Sequence, residues 1–178
     1  MNLYLARHTE TNYNVSGLSN SDPKVAVYLT EHGVKQAQAL AKKLEDTDLD
    51  VIITSRLPRT IQTANIINGA RNIPLVSDQR LNDINMGYEG KPVSNYRTAL
   101  ANQPDIWTAK FNDGESLQDV RLRVNGFLDW LKAAPYKNVL IISHLTILQL
   151  MQSRLEHTDE VRAFDLEIPQ GDYYSASL

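Results

Sequence analysis

The chain of 178 residues contains no cysteine. Disulfides, thiolate metal sites and cysteine nucleophiles are therefore excluded, so covalent chemistry must use histidine, serine, threonine or carboxylate side chains. The sequence also lacks any apolar run near the roughly 20 residues that span a bilayer. Because Met1 is not followed by a basic start, an apolar segment and a small-residue cleavage site, we expect a cytoplasmic protein without membrane contacts.

Positive charge is in short supply, since 18 lysines and arginines face 21 acidic residues and the formal net charge is −3. Nucleic-acid binding relies on clustered positive charge, so this balance argues against a nucleic-acid partner. An anionic ligand must instead be held by individual arginines. The length, with 42% apolar and 22% charged residues, is typical of one globular domain, which we expect to span residues 1–178.

Short apolar segments alternate along the chain with amphipathic segments of helical period. We predict strands directly before Arg7 and at residues 51–54, 73–76, 139–142 and 173–178. Helices are predicted after the caps Thr30 and Ser116, near Pro58, near residues 94–102 and around Ile147. This alternation predicts an α/β fold of three layers, with helices on both faces of a mostly parallel sheet.

Three predicted strands are followed by residues able to bind or attack an anion. Arg7 and His8 follow the first strand, Arg59 the second, and His144 the strand at residues 139–142. Ligands of such sheets bind beyond the carboxyl ends of the strands, so we expect these side chains at one site. They suit phosphate without a metal: the arginines neutralise its charge, one histidine attacks phosphorus and the other donates hydrogen bonds.

Residues 82–115 lack regularity, and we interpret them as a lid-like excursion. The excursion offers two carboxylic acids, Asp83 and Glu89, one of which must protonate the departing alkoxide and later activate water. Its large aromatic residues fit a substrate lid and packing of the excursion onto the domain equally well: Tyr88, Tyr96, Trp107 and Phe111.

The sequence resembles the histidine phosphatase superfamily, which includes the cofactor-dependent phosphoglycerate mutases and many small phosphatases. The similar segments run in family order over nearly the whole chain: Arg7-His8-Thr9-Glu10-Thr11 with Asn14; Leu29-Thr30 with Gly33, Gln36 and Ala37; Ser55 with Arg59-Thr60 and Gln62-Thr63-Ala64; Leu81, Asp83, Gly87, Glu89 and Gly90; Gly114-Glu115-Ser116; and Ser143-His144. The resemblance implies a phosphoglycerate mutase-like three-layer α/β/α fold.

The resemblance also implies a role for each site residue. His8 corresponds to the phosphorylated nucleophile, and Arg7, Arg59 and His144 correspond to the clamp that binds the phosphate. Asn14 is expected to join this pocket. No metal and no cofactor are implied.

The sequence departs from the family pattern at three positions. Asp83 is implied as the proton donor where related sequences mostly have glutamate, and Glu89 is the alternative. Thr9 and Leu145 replace glycines next to the two histidines. Because glycine marks close backbone approach, we expect both to crowd the pocket mouth, and we expect the Thr9 hydroxyl to contact the phosphate.

The function follows from what the excursion lacks. The mutases that this sequence resembles use paired arginines in their excursion to hold the charged groups of the substrate other than the phosphate. The excursion here carries only Lys91, Arg97 and Lys110 beyond Gly90. We therefore predict a phosphomonoesterase acting on a small phosphorylated metabolite through a phosphohistidine on His8. A cofactor-dependent phosphoglycerate mutase and a non-catalytic phospho-ligand binder stay open as alternatives, and a homodimer is left open as the oligomeric state.

Other charged or titratable residues show no partner pattern. We expect His32 and His157 to be solvated. Arg56 is expected to be an exposed loop charge, with a place beside the pocket as the alternative. Arg121 and Arg123 are expected on the solvated side of their helix.

Overall fold

The part of the chain that the structure describes contains five strands and six α-helices. The computed structural model describes residues 1–158 and 160–178, with no side chains described for residues 160–162. The strands are β1 Asn2–Arg7, β2 Val51–Thr54, β3 Leu75–Ser77, β4 Asn138–Ser143 and β5 Tyr173–Ser177. The helices are α1 Asn12–Ser16, α2 Glu31–Lys43, α3 Pro58–Asn68, α4 Val93–Ala101, α5 Leu117–Lys132 and α6 Leu145–Glu156, with 3-10 helices at Gln79–Leu81 and Glu160–Asp165. None of the described helices is long and apolar enough to cross a bilayer.

The strands form one mixed sheet of order β3-β2-β4-β1-β5. β3, β2, β4 and β1 are parallel to one another, and β5 pairs antiparallel with β1. The register places Arg7 at the end of β1 opposite Ser143 at the end of β4. The carboxyl ends of the parallel strands therefore share one edge of the sheet, as the prediction of a mostly parallel sheet requires.

Successive strand residues point to opposite faces and enter two separate cores. In β4, Ile141 packs into the core shared with α5 and α6, whereas Ile142 packs into the core shared with α2 and α3. Phe127 of α5 is fully buried in the first core, and Leu40 of α2 is fully buried in the second. Helices on both faces of the sheet confirm the predicted α/β/α layers.

Two helix starts form at the predicted caps. The Thr30 hydroxyl accepts a hydrogen bond from the Gly33 amide at 2.9 Å, and Ser116 forms a reciprocal capping box with Asp119. Such caps satisfy amide groups that the first helical turn leaves without partners. The Thr30 amide also donates to the Glu10 carbonyl at 3.0 Å. This bond ties the start of α2 to the segment that follows Arg7 and His8.

Two elements differ from the prediction. The short helix α1 was expected to be loop; its capping box pairs Thr11 with Asn14, so the usual glutamate or glutamine signal is absent. β3 begins at Leu75 rather than at residue 73, because Pro74 has no amide hydrogen to donate to a ladder. The Pro74 carbonyl still accepts from the Ile52 amide at 2.9 Å.

The excursion packs against the domain and against itself. The rings of Tyr88, Tyr96 and Phe111 lie with their centroids between 5.8 and 6.4 Å apart, and Trp107 packs on Phe164 at 5.7 Å. Packing therefore accounts for these four aromatic residues of the excursion. Tyr96 also lines the cavity described below, so both interpretations, packing onto the domain and a substrate lid, fit this residue.

The expectation of a solvated Arg123 is wrong. Its guanidinium pairs with Glu115 at 2.8 Å and donates to the carbonyls of Arg80 and Asp83 at 2.6 and 3.4 Å. Arg123 thus ties both ends of the excursion to α5, and its spacing along the helix gave no sign of this. Arg121 is half-buried with its guanidinium 5.6 Å from the Trp107 ring, so it is not simply solvated either.

The expected solvation of the remaining polar residues is confirmed. His32, His157 and Arg56 are exposed.

Gly33 and Gly126 form a matched pair for testing how α2 is seated. A β-carbon at Gly33 would lie 2.1 Å from the Glu10 carbonyl oxygen, whereas one at Gly126 in α5 meets nothing within 4 Å. We expect Gly33→Ala to lower the free energy of unfolding by about 2 kcal/mol or more, because backbone must move. Gly126→Ala should raise it by roughly 0.5–1 kcal/mol through helix propensity.

Urea unfolding of both variants beside the wild type measures these changes. Equal stabilities for Gly33→Ala and the wild type would show that α2 can shift away from Glu10 freely.

Candidate active site

Four residues expected to converge lie together at the carboxyl edge of the sheet. His8 follows β1 and His144 follows β4, and the pairing of these strands sets their ring centroids 5.2 Å apart. Arg59, in the first turn of α3, places its Nε 3.2 Å from His8 Nε2. Arg7 lines the same cavity as His8 and Arg59, which is described below. The structure thus brings the four side chains into one site, while their chemical roles stay predictions.

His8 is held in one tautomer. It is 3% exposed, and its Nδ1 lies 2.9 Å from the Thr9 carbonyl, which can only accept. Nδ1 therefore carries the hydrogen, and the Nε2 lone pair faces Arg59. Burial and the charge of Arg59 lower the pKa of His8 well below its usual value, against the Thr9 hydrogen bond, which raises it. The result is a neutral imidazole whose Nε2 carries the lone pair.

His144 is fixed by a chain of hydroxyl groups. Its Nε2 lies 2.8 Å from Ser55 Oγ, which lies 2.8 Å from Thr60 Oγ1. The Thr60 hydroxyl donates to the Leu57 carbonyl at 2.9 Å, so the network assigns the Ser55 hydrogen to Thr60 and a hydrogen to His144 Nε2. His144 Nδ1 is left buried without a hydrogen-bond partner among the described residues.

The charge state of His144 depends on what occupies the site. Burial, followed by the charges of Arg59 and of the other nearby cations, lowers its pKa well below the usual value, so the imidazole is neutral in the free protein. A bound dianion would offset those cations and favour the charged imidazolium. Nδ1 would then become a hydrogen-bond donor.

Arg59 is the most connected side chain of the site. It is 4% exposed, and its Nη1 donates to Asn20 Oδ1 at 2.7 Å. Its Nη2 donates to the Asn20 carbonyl at 3.1 Å and to Asp83 Oδ2 at 2.9 Å. Burial lowers the pKa of Arg59, and the charge of Asp83 raises it. The guanidinium stays charged, because arginine side chains do not lose their proton in proteins. A buried cation is therefore fixed beside His8.

Arg7 brings a second positive charge that is less fully paired. Its Nε is buried and has no hydrogen-bond partner among the residues that the structure describes. Burial lowers the pKa of Arg7, the charge of Asp83 raises it, and Arg59 lowers it further. With both histidines neutral, two arginines face one aspartate in this pocket, which leaves a net positive charge suited to an anion.

The two candidate acids have different surroundings. Asp83 lies inside the site, with Oδ2 bound to Arg59 and 3.5 Å from His144 Nδ1, and its Oδ1 accepts from the Ile84 amide. Glu89 is exposed and its carboxylate holds the loop at residues 17–22: it accepts from Asn20 Nδ2 at 2.8 Å and from the Ser21 amide at 2.7 Å. This geometry favours Asp83 as the acid and gives Glu89 a positioning role.

The three remaining site residues lie at different depths. Asn14 is exposed and lines the cavity, with Oδ1 engaged by Thr11 and Gln170. Leu145 is half-buried and also lines the cavity. Thr9 is fully buried, and its hydroxyl lies 3.4 Å from Thr63 Oγ1. The Thr9 hydroxyl thus has a partner in α3, and its contact with phosphate stays a prediction.

A cavity of about 940 Å³ opens above these residues. Its floor includes Arg7, His8 and Arg59, and its walls come from residues 11–21, from the excursion and from the start of α6. This volume lies in the range of small-molecule sites. Among the described residues, no group of three or more histidine, cysteine, aspartate or glutamate side chains is arranged to hold a metal ion.

Sequence reasoning missed Asn20 and assigned no chemistry to Ser55. Asn20 occurs in a polar loop where its side chain had no visible partner, although it binds both Arg59 and Glu89. Ser55 directly follows β2, and this position at the carboxyl edge of the sheet was a usable signal. Both residues hold others in place.

The chain is similar in sequence and in fold to proteins of one known family. The model of the histidine phosphatase superfamily (branch 1) matches residues 3–177. A probable phosphoglycerate mutase GpmB from Yersinia pestis (strain Pestoides F) is 32% identical over 170 residues, which cover 87% of this chain and 74% of that protein.

Two solved structures are similar over almost the whole fold. The alpha-ribazole phosphatase from Shigella flexneri has a TM-score of 0.86 and 30% identity, covering 98% of this chain and 89% of that chain. A putative alpha-ribazole-5'-P phosphatase from Escherichia coli K-12 MG1655 has a TM-score of 0.87 with the same identity and coverage. With a family match that spans nearly its whole length, the protein is an enzyme of the histidine phosphatase superfamily.

Proposed function

We propose that the protein hydrolyses phosphomonoesters without a metal, through a phosphohistidine on His8. The observation that carries this proposal is the tautomer of His8, whose Nδ1 donates to the Thr9 carbonyl so that Nε2 presents its lone pair beside Arg59. A neutral, oriented imidazole next to a fixed cation is the arrangement that in-line attack on an anionic phosphorus requires.

The reaction proceeds in two displacements. His8 Nε2 attacks phosphorus, the bond from phosphorus to the ester oxygen breaks, and the departing alkoxide takes a proton from Asp83. Arg7, Arg59 and protonated His144 stabilise the charge on the non-bridging oxygens. Water, deprotonated by Asp83, then attacks the phosphohistidine and releases phosphate, which returns His8 to its neutral form.

Asp83 must leave its ion pair to act as the acid. In the free protein its carboxylate already provides an anion between Arg59 and His144. A phosphate dianion would compete for the same two partners. Displaced from Arg59, the Asp83 carboxyl could then turn toward the departing ester oxygen.

A phosphoglycerate mutase is the second candidate, favoured by the name of the curated relative from Yersinia pestis. Its substrate carries a carboxylate as well as the phosphate. Within the described cavity wall, Arg97 is the one arginine or lysine besides Arg7 and Arg59, and Lys110 pairs with Asp119 at 2.7 Å. This shortage of cations favours hydrolysis. Phosphate transfer to phosphoglycerate, primed with bisphosphoglycerate, tests the mutase directly.

The first test is turnover of p-nitrophenyl phosphate in the presence of EDTA. We expect the wild type to hydrolyse it and His8→Ala to lose at least about 10⁴-fold in kcat, because the nucleophile is removed. His32→Ala, at an exposed histidine of α2, is the matched control and should keep full activity. A wild type that turns over only with added metal would contradict the proposal, and so would an active His8→Ala.

The second test separates Asp83 from Glu89 by leaving group. A proton donor matters for a poor alkoxide leaving group and little for p-nitrophenolate. Asp83→Asn should therefore lower kcat/KM for an alkyl phosphate by roughly 10²–10⁴-fold and for p-nitrophenyl phosphate far less. Glu89→Gln should lower both by similar factors. The reverse pattern would make Glu89 the acid.

The third test concerns the contact between Asn20 and Arg59. Removing a charge-assisted hydrogen bond in a buried site costs about 1.5–3 kcal/mol, so Asn20→Ala should lower kcat/KM roughly 10- to 100-fold. Asn65→Ala changes an exposed asparagine of the same helix as Arg59 and should change nothing. Steady-state kinetics on p-nitrophenyl phosphate decide this. Unchanged kcat/KM in Asn20→Ala would show that Asp83 and the Asn20 backbone alone hold Arg59.

A further inference from the structure

The cavity is far larger than a phosphate group needs. With a water's share of liquid volume near 30 Å³, the five heavy atoms of a phosphate occupy on the order of 100 Å³. The cavity measures about 940 Å³. The cavity therefore has room for an alcohol portion larger than the phosphate itself, and the side chains that line this remainder determine which alcohols fit.

Apolar side chains form one part of the lining of this remainder, which we call the apolar wall, beside polar residues such as Ser94, Thr146 and Gln149. Half-buried apolar side chains from the first loop, the excursion, α6 and the chain beyond it line the cavity: Leu18, Met86, Val93, Leu100, Leu145 and Phe164. A side chain that is half-buried and faces a concave space has apolar surface left to cover. A ligand with an apolar surface of its own would remove that area from water.

Leu145 is the member of this wall next to the chemistry. It directly follows His144 and begins α6, so its position is fixed by β4 and by the helix. Glycine is usual at this position in the family that the sequence resembles, and a glycine would add no side chain to the cavity. Here a leucine side chain lines it and also packs against the core under α5 and α6.

Charged groups are scarce in the same space. Apart from Arg7, Arg59 and Asp83, the charged residues of the described wall are Arg97 and Glu89. Both Glu89 oxygens already accept hydrogen bonds from residues 20–22. A leaving group rich in hydroxyl or carboxylate groups would exchange water for an apolar wall on one side, which is unfavourable.

We propose that the preferred substrates are monophosphates of bulky, mainly apolar alcohols, and that Leu145 is a specificity-determining residue that contacts the alcohol portion. This inference rests on the proposed hydrolase function and adds its substrate class. It places small polar esters, such as sugar phosphates, among the poor substrates.

Two esters of matched shape test the preference. Cyclohexylmethyl phosphate and glucose 6-phosphate both carry a six-membered ring on a primary phosphate ester, and they differ in the ring oxygen and hydroxyl groups. We expect kcat/KM to be at least about tenfold higher for the cyclohexylmethyl ester. Along n-propyl to n-hexyl phosphate, kcat/KM should rise about fourfold per methylene while chain carbons enter the apolar wall.

Variants at Leu145 test the residue itself. Leu145→Ala should lower kcat/KM for cyclohexylmethyl phosphate about tenfold and change that for glucose 6-phosphate less than threefold. Leu145→Met should restore most of the preference, because it keeps the apolar volume. Leu122→Ala, at an exposed leucine of α5, is the matched control and should leave the ratio unchanged.

Each readout is a ratio between two substrates on one protein preparation, so partial unfolding cancels. A wild type that hydrolyses p-nitrophenyl phosphate but prefers glucose 6-phosphate would overturn the substrate class and leave the proposed function standing. An unchanged ratio in Leu145→Ala would remove Leu145 from the specificity wall. A wild type inert toward every ester would overturn the hydrolase and this inference together.

Discussion

The parallel pairing of β1 with β4 is the constraint on which the site depends. Arg7 lies opposite Ser143, and the His8 amide donates to the Ser143 carbonyl at 3.0 Å. This register sets the two histidines side by side as the residues that follow adjacent strands. A slip of one residue would point each side chain to the opposite face, and the two imidazoles would no longer share a pocket.

Burial then determines the chemical state of the site. Burial and the neighbouring arginines disfavour a second proton on either imidazole, so both histidines are neutral. The positive charge of the site resides on Arg7 and Arg59. Asp83 and the polar atoms of Asn20 make that charge tolerable. The site thus combines neutral imidazoles with an excess of cationic donors. Both follow from the exclusion of water at the ends of the strands.

Much of this could be predicted from the sequence, because strand ends and helix caps are local signals. Arg7 ends a recognisable strand, and His8, Arg59 and His144 each come shortly after one. The parallel topology brings such positions together. Contacts between loops carry no comparable signal. Asn20 and Glu89 meet only after the excursion folds back, and Arg123 joins elements 40 residues apart in the chain. The Thr9 hydroxyl likewise meets the Thr63 hydroxyl, 54 residues away in the chain.

The loop at residues 17–22 and the excursion are bound together as well as to the site. Ser19 exchanges backbone hydrogen bonds with Lys91 and Gly90, at 2.9 Å each, and Glu89 accepts from the Asn20 side chain. Neither segment can leave the cavity mouth without breaking these bonds. The two therefore form one cooperative unit, in which backbone amides far apart in sequence open to hydrogen exchange together and a ligand that orders one segment orders the other.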